Sequence, residues 1–125
     1  MSTVAYRWLV AYWLLTGVVV GECVVGGAMD LLRLPPFYPL LIDLGYPGYL
    51  ATILGTAKLI AAVIVAAPGL PRLKEWAYAG IVINMTGAAA SQVADHQPVT
   101  GLIAPAAFAA LAVLSWALRP PNRKL

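Results

Sequence analysis

Three polar side chains interrupt the apolar stretches of this chain, and their types suit the binding of a ligand or a proton. Glu22, Lys58 and Asn84 each lie inside a long run of apolar residues. A carboxylate, an ammonium and an amide are all expensive to bury away from water unless each has a partner or a function. We therefore expect the three to form one polar site, with Ser91 as a further candidate on the same stretch as Asn84.

The composition is that of a membrane protein. Of the 125 residues, 62% are hydrophobic and 10% are charged, whereas soluble domains are about 25% charged. Four stretches are each long enough to cross a bilayer as a helix, and they cover residues 8–29, 49–67, 76–93 and 99–118. The connections between them are short, so the sequence predicts an all-α fold. Residues 1–125 would form a single domain, an antiparallel bundle of four transmembrane helices.

The connection between the first two predicted spans has an unusual composition. Residues 30–48 include four prolines, which exclude one long helix, yet the segment is otherwise apolar and aromatic. We interpret it as a segment that lies at the membrane interface, with a short helical turn near residues 38–44.

The distribution of basic residues predicts the orientation. Six of them lie at the N-terminus, between the second and third spans, or in the C-terminal tail, and only Arg33 lies on the opposite side. Because basic loops stay in the cytoplasm, both termini should be cytoplasmic. The six are Arg7, Arg72, Lys74, Arg119, Arg123 and Lys124.

The three polar side chains are also predicted to share one depth. With a rise of about 1.5 Å per residue, they lie roughly 10–13 Å from the outer ends of their spans. Small residues at helical spacing accompany them, and such stripes mark contacts between helices in lipid. One reading is an outward-opening binding pocket capped by residues 35–48, and the other is a buried Glu22–Lys58 ion pair that, with Asn84, only holds three helices in register. The first stripe is Ala51, Gly55, Lys58 and Ala62, and the second is Ala77, Gly80, Asn84, Gly87 or Ala88, and Ser91.

Several short motifs carry a resemblance to a known family. They are LGYP at residues 44–47, Gly55-x-x-Lys58, EWAYAG at residues 75–80 and Thr86-Gly87-Ala88. Together they resemble the DoxX-like family of small bacterial membrane proteins. The resemblance implies four transmembrane helices in the bacterial inner membrane, and it adds Tyr46 of the first motif to the expected binding residues. The family commonly has Ser-His near the end of the third span, where this chain has Ser91-Gln92.

The resemblance implies little chemistry. Family names refer to subunits associated with quinol oxidase and with thiosulfate–quinone oxidoreduction, so a quinone enters by analogy alone. We expect no cofactor and no catalytic residue. The leading hypothesis is an accessory membrane subunit, or a protein that binds a small molecule or lipid, with a membrane complex and a second copy of the chain as candidate partners. Gly17 and Gly21 favour a dimer because they let another helix approach closely.

Two other functions stay open. Four short helices with a glutamate in the first span are also typical of small proton-coupled multidrug transporters that work as dimers, although Lys58 would neutralise that glutamate. An enzyme using Glu22 or Lys58 as acid or base is a third hypothesis, but no catalytic arrangement supports it. No motif indicates a phosphate loop, a zinc site or a nucleic-acid surface.

Overall fold

The computed structural model describes residues 2–124, and these form an all-helical structure without strands. The prediction of an all-α fold is therefore confirmed. Two short 3-10 helices, Val99–Leu102 and Pro121–Arg123, accompany five α-helices. The α-helices are α1 (Thr3–Leu31), α2 (Phe37–Asp43), α3 (Tyr49–Ala66), α4 (Pro71–Ala94) and α5 (Ile103–Ala117).

The ends of the helices follow from local sequence. The Ser2 hydroxyl caps α1 by accepting a hydrogen bond from the Ala5 amide at 3.1 Å. Between α3 and α4 the chain turns through Gly69 and Leu70, which both have positive φ angles, of 70° and 57°. Pro71 then begins α4, where its fixed φ angle suits the first turn and its missing N–H is not needed.

Three helices of the described chain are long and apolar enough to cross a membrane: Thr3–Leu31, Tyr49–Ala66 and the continuous Val99–Ala117. The fourth predicted span corresponds to α4, which has 24 residues. It is less apolar than the others because it contains Arg72, Lys74 and Glu75 in its first turns and several polar residues further on. Four spans in an antiparallel bundle thus stay a prediction.

The four long helices pack as a closed ring. α1 contacts α3 and α5, and α4 contacts α3 and α5. The closest approach is between α1 and α3, where a Cβ built on Gly55 would lie 2.7 Å from the Gly27 carbonyl oxygen and 3.0 Å from the Leu31 nitrogen. Only glycine therefore fits at Gly55. The buried hydrophobic core lies inside the ring and includes Val19, Cys23, Ala62, Val65, Tyr78, Ile81, Met85, Ala109 and Ala112.

Hydroxyl groups connect three helices in the middle of the core. Ser115 Oγ on α5 lies 2.6 Å from Thr16 Oγ1 on α1 and 2.7 Å from the Tyr78 hydroxyl on α4. All three residues are buried. The Tyr78 ring therefore lies in the core, and its hydroxyl is satisfied by Ser115.

The predicted small-residue stripes agree only in part with the packing. Gly55 and Ala62 are buried on α3, but Gly80 and Gly87 on α4 are exposed and have no heavy atom within 4 Å of a built Cβ. Gly17 and Gly21 on α1 are open in the same way. The face that α4 buries shares Ala77 with the predicted stripe and otherwise carries larger side chains, namely Lys74, Tyr78, Ile81, Met85 and Gln92.

Candidate functional site

Lys58 lies on the face of α3 that packs against α1. Its ammonium is 3.1 Å from Asp30 Oδ2 and 3.6 Å from Glu22 Oε1. The side chains of all three are largely buried, with exposed fractions of 15% for Lys58, 12% for Glu22 and 9% for Asp30. Glu22, Asp30 and Lys58 are called the Lys58 cluster below.

The two carboxylates come from successive turns of α1. Glu22, Gly26 and Asp30 are spaced four residues apart and so lie above one another on the helix. Gly26 leaves room for the cluster, because a Cβ there would lie 2.6 Å from Glu22 Oε1 and 3.4 Å from Lys58 Nζ. The helix thus presents two acids to a single base.

Asp30 was missed in the sequence analysis, which ended the first span at residue 29 and assigned Asp30 to the following connection. In the structure α1 continues to Leu31, so Asp30 is helical and only 6% exposed. The sequence feature that could have predicted its place is the four-residue spacing from Glu22 through Gly26 to Asp30, which puts all three on one face of a helix.

Two cavities meet at the Lys58 cluster. The larger, of about 560 Å³, lies between α1, α2, α4 and α5. The smaller, of about 500 Å³, lies between α1, α3 and α4. Both are lined mainly by apolar side chains, and they share Glu22, Leu54, Lys58, Asn84 and Met85.

Asn84 belongs to this site as a lining residue of both cavities. Gln92, one of the residues that α4 buries, lines the larger cavity on the same helix. From α2, the Phe37 ring covers the cluster, with its centroid 5.8 Å from Lys58 Nζ. The short helix of the proline-rich segment therefore forms part of the wall of the larger cavity.

Ser91 and Tyr46 lie apart from the cluster and contact each other. The Tyr46 hydroxyl is 2.5 Å from Ser91 Oγ, and Ser91 also donates to the Gly87 carbonyl at 2.8 Å. Neither residue lines the two cavities. Their contact joins the connection before α3 to α4, so the structure gives them a local partner in each other.

Residues 2–124 contain no group of three His, Cys, Asp or Glu side chains that could hold a metal ion. His96 is exposed in the turn after α4, with a positive φ angle of 56°. The site therefore combines a buried group of opposite charges with adjoining apolar space.

Comparison with protein families identifies the chain. The family model described as the DoxX-like family matches residues 3–115. The chain belongs to the DoxX-like family. The comparisons with curated proteins and with solved structures found no match.

The motifs of this DoxX-like membrane protein coincide with contacts that hold its helices together. In Gly55-x-x-Lys58 the glycine permits the close approach to α1, and the lysine reaches the carboxylates. In EWAYAG, Glu75 accepts hydrogen bonds from Trp116 and Arg119, while Tyr78 meets Ser115.

Two basic residues of this DoxX-like protein cap the end of α3, and the sequence analysis assigned them only to topology. The Arg123 guanidinium donates to the carbonyls of Val65, Ala66 and Ala67 at 2.6, 3.2 and 3.0 Å, and to the Tyr12 hydroxyl at 2.8 Å. Lys74 Nζ donates to the Ile64 carbonyl at 2.7 Å and to Ala67. The last carbonyls of a helix lack partners within it and carry partial negative charge, which attracts such cations.

Proposed function

We propose that this DoxX-like protein binds a membrane-dissolved amphiphile. Its apolar part would occupy the two cavities, and its polar head would lie at the Lys58 cluster. The observation that carries the proposal is the distribution of polarity. Apolar space on two sides of the cluster meets one buried group of charges, which is typical of ligand sites with a few polar groups that orient the ligand.

The same residues admit a purely structural role, in which Lys58 only joins α1 to α3. A buried pair is weak evidence for stability, because desolvation offsets most of the attraction. The cavities favour binding over this alternative, since an ion pair that served only packing would need no adjoining space.

For the setting we propose four spans, α1, α3, α4 and α5, in the bacterial inner membrane with both termini in the cytoplasm. The closed ring supports α4 as a span, because it contacts the same two helices as α1 does. The six-to-one distribution of basic residues supports the orientation. The larger cavity would then lie toward the outer surface, beneath α2.

Labelling of single cysteines tests this topology. In a Cys23→Ala background, a cysteine at His96 should react with a membrane-impermeant maleimide from the outside of the inner membrane. A cysteine at Arg72 should react only after permeabilisation. Equal reactivity of the two positions would contradict the proposed orientation.

An accessory role is a consistent extension of ligand binding. A quinone is one amphiphile of suitable size, and its support is the family resemblance alone. The exposed Gly17 and Gly21 offer a surface for a second copy of the chain or for another membrane subunit.

One observation favours a second candidate, proton-coupled transport. Lys58 can neutralise one carboxylate, but Asp30 gives the cluster two. A carboxylate is thus left for proton exchange. Substrate-dependent proton flux into liposomes that is lost in Glu22→Gln and Asp30→Asn would support transport, and saturable binding without flux would oppose it.

Binding itself is tested with a set of decyl-chain ligands that differ only in the head. The protein is placed in phosphatidylcholine nanodiscs, and calorimetry is corrected with empty nanodiscs. At least one ligand should bind saturably to the wild type. Ala88→Phe should abolish this binding because Ala88 lines the larger cavity. Ala90→Phe is the matched control, since Ala90 is exposed on the same helix and does not line either cavity. Absence of saturable binding to the wild type would refute the proposal.

A further inference from the structure

The ionisable groups around the two cavities do not balance in charge. Among the described residues that line them, the carboxyl and amino side chains are Glu22, Asp30 and Lys58. Two carboxylates therefore face one ammonium. α2, α4 and α5 contribute no charged side chain to either lining. An uncompensated charge in a site shielded from water is costly, so the cluster favours one additional positive charge.

Asp30 provides the second observation. Its side chain is only 9% exposed, and Asp30 is one of the residues that line the larger cavity. Oδ2 accepts no hydrogen bond from any residue between 2 and 124. The 3.1 Å approach of Lys58 Nζ is therefore a charge contact without hydrogen-bond alignment. A residue beside the cavity thus has a buried carboxylate oxygen whose hydrogen-bonding capacity is unused, which is unusual for a buried polar atom.

The aromatic wall of the larger cavity is compatible with a cation. Phe37 and Phe108 both line it, and the Phe37 ring already lies 5.8 Å from the Lys58 ammonium. The faces of aromatic rings attract positive charge. A head that offered only acceptors, such as a quinone carbonyl, would leave Asp30 Oδ2 unpaired and the excess negative charge in place.

We infer that the preferred ligand of this site is an amphiphile with a primary ammonium head, which donates a hydrogen bond to Asp30 Oδ2 and neutralises the Lys58 cluster. The inference rests on the proposed binding function and specifies the chemistry of its ligand. The ammonium could belong to a free alkylamine or to a lipid with an ethanolamine head, since both present the same group on an apolar body.

The test compares decylamine with decanol, which has the same chain and a neutral head. In phosphatidylcholine nanodiscs, with the background of empty nanodiscs subtracted, we expect decylamine to bind about tenfold more tightly than decanol. Decanoate should bind more weakly than either. The wild-type full-length chain is used throughout, and Ala88→Phe serves as the control that occupies the cavity.

Glu22→Gln removes the excess charge and keeps the closer Asp30–Lys58 contact. In this variant the preference for decylamine over decanol should fall toward unity. Ala90→Phe, which lies outside both cavities, should keep the affinities for both ligands within about twofold of wild type. Asp30→Asn is the second variant and should also lose the preference, since it removes both the charge and the unpaired acceptor.

The possible outcomes separate the two proposals. Saturable binding in which decanol equals or exceeds decylamine would overturn the ammonium inference and leave the proposed function standing. Absence of saturable binding by every ligand would overturn both. Replacing part of the phosphatidylcholine with phosphatidylethanolamine distinguishes the sources of the ammonium. Weaker apparent binding of decylamine would indicate that the lipid competes, and unchanged binding would indicate a free amine.

Discussion

At the scale of single residues, Lys58 is the least replaceable member of its cluster. Among residues 2–124 it is the one cation that pairs with Glu22 and Asp30, whose carboxylates lie 3.6 and 3.1 Å from its ammonium. Loss of either acid leaves a balanced pair, whereas loss of the base leaves two buried carboxylates without compensation. Removing one partner of a buried pair typically costs about 3–5 kcal/mol.

We therefore predict that Lys58→Met lowers the free energy of unfolding by about 3–5 kcal/mol. Glu22→Gln should have a clearly smaller effect, because the Asp30–Lys58 contact remains. The measurement is the thermal unfolding midpoint in a mild detergent, followed by circular dichroism. Lys124→Met is the control, because Lys124 is exposed in the tail.

The triple variant Glu22→Gln, Asp30→Asn, Lys58→Met removes all three charges at once. It should recover much of the stability that Lys58→Met loses, since no buried charge is then left without a partner. If the triple variant were as unstable as Lys58→Met, shape complementarity rather than charge would explain the loss. A double variant that neutralises only Glu22 and Lys58 would not serve this purpose, because it leaves the buried Asp30 carboxylate without a cation.

At the scale of helices, the contact between α1 and α3 places the Lys58 cluster. Gly27 and Gly55 let the two backbones approach, and Lys58 follows one turn after Gly55 on the same helix. Two of the three atoms nearest to a Cβ at Gly55 are backbone atoms of α1, which cannot move away as the third, Leu31 Cγ of a side chain, could.

Gly55→Ala should therefore destabilise the protein by about 1–3 kcal/mol, as overpacking of a tight contact does. It should also weaken ligand binding, since separating α1 from α3 draws the carboxylates away from Lys58. Unfolding midpoints and decylamine titrations measure the two effects. Gly87→Ala is the matched control because a Cβ at Gly87 meets no atom within 4 Å. A neutral or slightly stabilising effect is expected there.

At the scale of the whole molecule, the C-terminal tail completes the bundle. Arg123 is 5% exposed, and its guanidinium joins the end of α3 to Tyr12 on α1. The guanidinium also packs against an aromatic ring, because its carbon lies 4.9 Å from the centroid of the Trp13 ring. Residues from the two ends of the sequence thus meet at the end of a third helix.

Arg123→Ala should lower the free energy of unfolding by about 3 kcal/mol, because several charge-assisted hydrogen bonds to buried carbonyls are lost together. Arg123→Lys should recover only part of this, since an ammonium cannot reproduce the planar set of donors. Unfolding midpoints compare these variants with Lys124→Ala, an exposed neighbour. Equal midpoints for the Arg123 and Lys124 variants would show that the tail does not cap α3.

The pH dependence of stability should include a contribution from Glu75. Hydrogen bonds from Trp116 and Arg119 hold the pKa of Glu75 below its ordinary value of 4.5. The folded state therefore releases this proton at a lower pH than the unfolded state does. The resulting stabilisation is present above about pH 4.5 and is lost as the pH falls through the lowered pKa.

The measurement compares wild type with Glu75→Gln at neutral pH and near pH 3. The variant should unfold a few degrees lower at neutral pH, and the difference should shrink as the pH falls, because the wild-type carboxyl then also takes up a proton. A constant difference across this range would contradict the prediction. Using the difference between the two proteins removes the contributions of the other carboxylates.

Much of the helical framework follows from the sequence. Long apolar runs predicted α1, α3 and α5, because helices satisfy their own backbone hydrogen bonds in an apolar environment. Proline and glycine predicted the breaks before α2 and before α4. The boundary of α1 was less accurate, since a single charged residue at a helix end does not show whether the helix has stopped.

The sequence by itself determined the helices and identified Glu22, Lys58 and Asn84 as polar residues in apolar surroundings. Only the tertiary structure decided their partners, because contacts between helices depend on rotation about each axis, which residue spacing fixes only loosely. That rotation made Asp30 the closer partner of Lys58, paired Tyr46 with Ser91 away from the cavities, and exposed Gly80 and Gly87. The tertiary structure also brings Lys74 and Arg123 to the end of α3, because the carbonyls that accept their hydrogen bonds are free only at that end of the helix.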